Sequence, residues 1–208
     1  MSNCGCGEQL DVATMQAQQR RVLTWVLIIN ASTFILMLSG TLLSGSSSLL
    51  SGTLDNLGDA LTYGLSLVVV GASPTAKARV AFFKGILILG AAVVVAAKII
   101  WHAINPEVPI VETMGIVAIL NLAANLLCLR LLYAYRNADV NMSSVWECSR
   151  NDIADGLAVI FATALVWVFS SGWPDILIAI ALLMLFLRSA TRVLSSAWRE
   201  LHPVQSIS

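Results

Sequence analysis

Charge is scarce in this chain. Asp, Glu, Lys and Arg together make 12% of its 208 residues, about half the share usual in soluble domains. Acids and bases cancel to a formal net charge of zero, which removes any electrostatic case for nucleic acid as a partner. Histidine is scarcer still: His102 and His202 both lie outside the apolar runs. No base therefore stands beside a nucleophile within them, and no catalytic constellation is readable. No Gly-x-x-x-x-Gly-Lys-Ser/Thr loop occurs, so ATP is not the direct energy source. The opening MSNCGCGEQLDVATMQAQQRR has no apolar run and does not read as a cleavable signal. The four cysteines, Cys4, Cys6, Cys128 and Cys148, make no disulfide framework, because two fall in the first six residues and two in apolar runs.

Apolar residues are abundant, at 58% of the chain with a mean hydropathy of +0.83. This is the composition of an all-α integral membrane protein. Six runs of about one bilayer thickness can be marked. They lie at about Val22–Leu43, Leu49–Ala72, Val80–Ile100, Thr113–Leu132, Val145–Ser170 and Ile176–Leu194. The expected architecture is a six-transmembrane-helix bundle over residues 20–200, with a polar tail at 1–19 and a short tail at 201–208. The third run is rich in small residues, Gly85, Gly90, Ala91, Ala92, Ala96 and Ala97, which allow close helix approach.

Basic residues orient the bundle. Arg20 and Arg21 precede the first run, Lys77, Arg79 and Lys84 follow the second, Arg130 and Arg136 the fourth, and Arg188, Arg192 and Arg199 end the sixth. The remaining connections carry Glu107, Glu112 and Asp175 instead. Lys98 is the exception, close enough to its run's end to snorkel. Both termini are expected in the cytoplasm, with the chain in the cell (inner) membrane.

Five acidic or amide positions break the apolar pattern. Asp55 and Asp59 stand four apart in the second run, on one helical face. Each costs about 2.5–3.5 kcal/mol at the bilayer centre. Asn151, Asp152 and Asp155 recur in the fifth run. At 1.5 Å per residue the first pair lies ~10–16 Å from one end of its run, and Asn151 and Asp155 lie ~9–15 Å from the opposite end of theirs. Both reach the midplane of a ~30 Å hydrocarbon layer. Two antiparallel helices can then bring Asp55, Asp59, Asn151 and Asp155 to one divalent cation. Hydrogen bonding alone is a poor account of these carboxylates, because no Lys or Arg lies at mid-span to neutralise them; Arg150 sits near the end of its run and can pair with Glu147. Whether Asp152 or Asp155 is the ligand stays open at this stage. Asn30, Asn121 and Asn125 read first as packing amides. Cys4-Gly5-Cys6 reads as a disordered tail or a soft-metal chelate, and Cys148 as a packing residue or a soft entry ligand.

Three segments also resemble the cation diffusion facilitator family. SSSLLSGTLDNLGDALTYGLSL is similar to its second span, WECSRNDIADGLAVI to its fifth, and SGWPDILIAIAL to the entry of its sixth. The resemblance covers about residues 20–200. It implies six spans, cytoplasmic termini and export of Zn²⁺ or a similar metal in exchange for protons, at a site matching Asp55, Asp59, Asn151 and Asp155. No cofactor is implied; the metal is cargo. Most members continue into a cytoplasmic metal-binding domain, so a homodimer of this chain is expected to form through the spans. Zinc exporters commonly place His where Asn151 stands, and an all-oxygen set moves preference towards Mn²⁺, Fe²⁺ or Co²⁺ relative to Zn²⁺, with Cd²⁺ among the metals to be compared. A cation channel, or a metal-binding membrane protein without coupled transport, is the alternative.

Overall fold

The computed structural model describes residues 17–68, 74–136 and 140–201. Cys4-Gly5-Cys6, most of both expected tails, His202 and the junction around Ser73 lie outside the described residues. Six helices run in chain order: α1 Ala17–Ser44, α2 Ser47–Val68, α3 Pro74–Ile104, α4 Val111–Tyr133, α5 Val140–Phe169 and α6 Trp173–Leu201. Several outrun their apolar cores. α3 begins at Pro74, not Val80, because proline suits the first helical position, where its missing N–H has no partner to lose. α5 begins at Val140 and takes in polar residues that had read as a connection.

Five helices contain stretches long and apolar enough to cross a membrane: α1, α4, and residues 85–104, 145–169 and 173–192 of α3, α5 and α6. Over its described residues α2 is not among them. It holds Ser47, Ser48, Ser51, Thr53, Asp55, Asn56 and Asp59. The packing explains how such a helix is accommodated. α2 lies against α1, α3, α5 and α6, and residues 51–54 are buried on every side. Among the described residues, the large exposed apolar side chains, among them Leu42, Val93, Ile116, Trp167 and Leu177, belong to the other helices or their connections. The bundle is thus apolar on its outside and gathers its polar side chains inside, among apolar packing clusters.

Inside, several hydroxyls bond back to their own helix or cross to a neighbour. Thr53 Oγ1 donates to Leu49 O at 2.7 Å, Thr62 Oγ1 to Gly58 O at 2.6 Å, and Ser51 Oγ crosses to Ala179 O of α6 at 3.0 Å. α3 and α6 pack side by side through Ile88, Ala92, Val95, Ala179, Leu183 and Phe186. α1, α4 and α5 meet through Met37, Met114, Val117, Val159 and Ala162. Gly40 lets α1 approach α4, since a Cβ there would stand 2.6 Å from Val117 Cγ2.

One end of the bundle is tied tightly. Gly45, at φ 74°, turns α1 into α2 in a conformation that favours glycine. Ile110 N donates to Ser44 O at 2.9 Å, joining the start of α4 to the end of α1. Asp175 of α6 caps α2: its Oδ2 accepts Ser47 N at 2.6 Å, and its Oδ1 accepts Ser48 N at 3.0 Å and Ser46 Oγ at 2.7 Å. The carboxylate meets otherwise unbonded N–H groups at the positive end of the α2 dipole. Ser47 Oγ lies 2.7 Å from His102 Nδ1, adding α3 to the same knot.

Candidate functional site

A small internal cavity lies where α2, α4 and α5 face one another. Asp55 and Asn56 line it from α2, Asn121 and Asn125 from α4, and Asp152 and Asp155 from α5, framed by Met37, Gly52, Ala118, Gly156 and Val159. Its free space holds about one water molecule. That suits a single ion and excludes an organic solute.

Helical register explains which side chains arrive there. On α4 the buried stripe runs Met114, Val117, Ala118, Asn121, Asn125, Cys128 and Leu132, so both amides point inward with the apolar residues. On α5 it runs through Val145, Ser149, Gly156, Val159, Ala162 and Val166, with the half-buried Asp152 and Asp155 on the same track. Asn151 is one residue off that track. A step of about 100° turns it away, and it is exposed and outside the cavity lining. The structure therefore does not bring Asn151 together with Asp55 and Asp155; Asp152 occupies the inward position instead.

The four carboxyl groups meet in two pairs. Asp55 and Asp155 are within hydrogen-bonding reach of each other, and so are Asp59 and Asp152. Antiparallel α2 and α5 dictate this order, because the later Asp of one helix meets the earlier Asp of the other. The charged neighbours acting on Asp55 and on Asp152 are the other carboxylates of this group. Asp59 is 8% exposed and accepts a hydrogen bond from Tyr63 Oη at 2.9 Å. Tyr63 is held in turn by Leu23, Val26, Cys128, Leu132 and Val145. Asn56 Nδ2 donates to Asn121 Oδ1 at 3.0 Å, linking α2 to α4 beside the cavity. Among the described residues, no three His, Cys, Asp or Glu side chains converge tightly enough to form a ready-made metal cage. Cys148 is buried on the inward side of α5, about one turn before Asp152, and is disulfide-bonded, so it is not the free thiol that a soft entry ligand requires.

Sequence reasoning held Asp152 only as an alternative to Asp155 and had no place for Tyr63 or Asn56 in the site. The signal for Asp152 was the inward stripe of α5, and that for Tyr63 was its i+4 spacing from Asp59. Asn56 carries no such signal, since its role depends on where α4 passes.

Four acidic side chains in the interior of an apolar-surfaced helical bundle fit a protein that handles cations inside a membrane. Residues 23–202 match the family described as the cation efflux transmembrane domain. The chain is a multi-pass integral membrane protein and a cation transporter of the diffusion-facilitator type, and it belongs to the cation efflux family.

Proposed function

We propose that the chain exports a divalent transition-metal cation in exchange for protons, binding it at the cavity between α2, α4 and α5. The observation that carries this reading is the Asp55–Asp155 pair, set in a cavity of ionic size with Asp152 beside it and the Asp59–Asp152 pair one turn along. The charged neighbours of Asp55 and of Asp152 are other carboxylates, and carboxyl groups packed together in this way need a counter-charge. Two protons or one divalent cation supply the same charge, so the two exchange at one place. Rocking of the helices around the site then exposes it to the two faces in turn.

Asp55 and Asp155 hold the ion directly. Asp59 and Asp152 form the adjoining pair, through which metal or protons pass between the cavity and the end of α2 at Val68. The donors are oxygens, and both histidines lie apart from the carboxylates in the sequence, which favours Mn²⁺, Fe²⁺ or Co²⁺ over Zn²⁺. In this reading α2 is the sixth span, sheltered by its neighbours, and both termini face the cytoplasm by the distribution of Lys and Arg.

The test is flux in proteoliposomes with an imposed pH gradient, across Zn²⁺, Cd²⁺, Co²⁺, Mn²⁺ and Fe²⁺. Saturable metal movement that follows the proton gradient and reverses with it supports the proposal. Flux that never saturates and ignores the gradient identifies a channel, and binding without flux identifies a metal-holding protein.

A further inference from the structure

The two amides that α4 brings to the cavity stand one turn apart and differ in what they do. Asn121 is committed: its Oδ1 accepts Asn56 Nδ2 at 3.0 Å. Asn125 is 2% exposed, and its Oδ1 is buried with no hydrogen-bond partner among the described residues. It lines the same cavity as Asp55, Asp152 and Asp155. A buried carbonyl oxygen left unmet is costly in so apolar a setting. Ionised carboxylates cannot satisfy it, because they too only accept. A cation among them can.

We infer that Asn125 gives its amide oxygen to the transported cation, so that the site spans three helices and Asn125 sets its selectivity. The inference rests on the reading of Asp55 and Asp155 as cation ligands. A neutral carbonyl adds a hard donor without adding charge. Mn²⁺ gains from an additional oxygen, whereas Zn²⁺ is content with four ligands and prefers nitrogen or sulfur. Asn125 thus raises the ratio of Mn²⁺ to Zn²⁺ affinity. The rival role for this side chain is a plain hydrogen bond from its NH₂ to a carboxylate, which would support every metal equally.

The experiment is equilibrium titration of the purified full-length chain in detergent with MnCl₂ and, separately, ZnCl₂. Asn125→Leu is expected to weaken Mn²⁺ on the order of tenfold, as losses of single groups around a metal do, and Zn²⁺ clearly less. Asn125→Asp, nearly isosteric, keeps an oxygen on the ion and is expected to hold Mn²⁺ at least as tightly as the parent. Asn30→Leu removes another buried amide away from the cavity, and is expected to leave the ratio unchanged. Asp155→Asn is the benchmark for the site itself and is expected to abolish binding of both metals. If Asp155→Asn does so while Asn125→Leu leaves the ratio unchanged, Asn125 does not touch the ion, although the carboxylate site stands. If Asp155→Asn binds both metals as the parent does, the carboxylate reading fails and this inference fails with it. Should Asn125→Leu not fold, Asn125→Asp decides alone: equal weakening of both metals overturns the inference.

Discussion

Tyr63 reaches back one turn along α2 and donates its phenol to Asp59 Oδ2 at 2.9 Å. The bond fixes one rotamer of Asp59 and holds its carboxyl towards α5, where Asp152 lies. Hydrogen bonds to ionised groups contribute about 1.5–3 kcal/mol. Tyr63→Phe keeps the ring in its pocket and removes only this contact. It is expected to raise the KM for metal about tenfold, the lower end of that range, with the amount of inserted protein unchanged. A KM equal to that of the parent in flux assays would show that Asp59 needs no such support.

The register of α5 can be read from paired substitutions. Asp55→Asn, Asp155→Asn and Asp152→Asn should each lower flux by more than about a hundredfold, since each removes a charge from the group that balances the cation. Expression should hold, because removing a mid-span carboxylate lowers the cost of insertion. Asn151→Ala, on the exposed side, should stay within about twofold of the parent, as is usual for surface changes. Loss of transport in Asn151→Ala with retention in Asp152→Asn would reverse the assignment.

Asp175 is expected to matter to stability more than to the metal. Asp175→Ala strips three hydrogen bonds from the start of α2 and should cost about 1–3 kcal/mol. Asp175→Asn retains one acceptor oxygen and should cost less. Melting temperature in detergent orders the two against the parent. An unaltered melting temperature in Asp175→Ala would mean that the cap is replaced by other partners.

The approach of α1 to α4 gives a compensating pair. Gly40→Ala pushes a methyl group into Val117, an overpacking worth about 1–3 kcal/mol. Val117→Ala in the same chain removes the obstacle, so the double variant should recover much of the lost stability. Strictly additive losses in the double-mutant cycle would exclude direct contact as the cause.

The helices are legible in the sequence because apolar runs of bilayer length have few other readings. Their bounds are less so: α3 starts at Pro74 and α5 at Val140, and hydropathy cannot follow a helix once it leaves the apolar layer. The carboxylates on α2 are legible from cost alone, since Asp55 and Asp59 interrupt a long run. On α5 the choice between Asn151 and Asp152 is not settled by spacing. Asp155 lies about 40° from the one and 60° from the other around the helix, so either can share its face. Val145, Ser149, Val159 and Ala162 decide the matter, because they show which way the packed side points. The amides of α4 mark the limit of such reading. Asn121 and Asn125 share a stripe and a residue type, yet only the passage of Asn56 past one of them separates their roles.

Among the described side chains of α2 no large apolar one faces outward, which bears on how the chain enters a bilayer. Lipid is not the solvent of this helix; neighbouring helices are. Two mid-helix carboxylates make solitary partitioning unfavourable by about 5–7 kcal/mol before its hydroxyls are counted. α2 thus depends on company during biogenesis, and α1, joined to it through Gly45-Ser46 and packed along it, is the nearest escort. In an insertion reporter, residues 47–68 should fail to integrate alone and integrate when preceded by α1. Efficient integration of the isolated segment would refute that dependence. On this expectation one of the two helices that carry the carboxylates enters the membrane only with an escort, and its entry is itself a step in assembling the bundle.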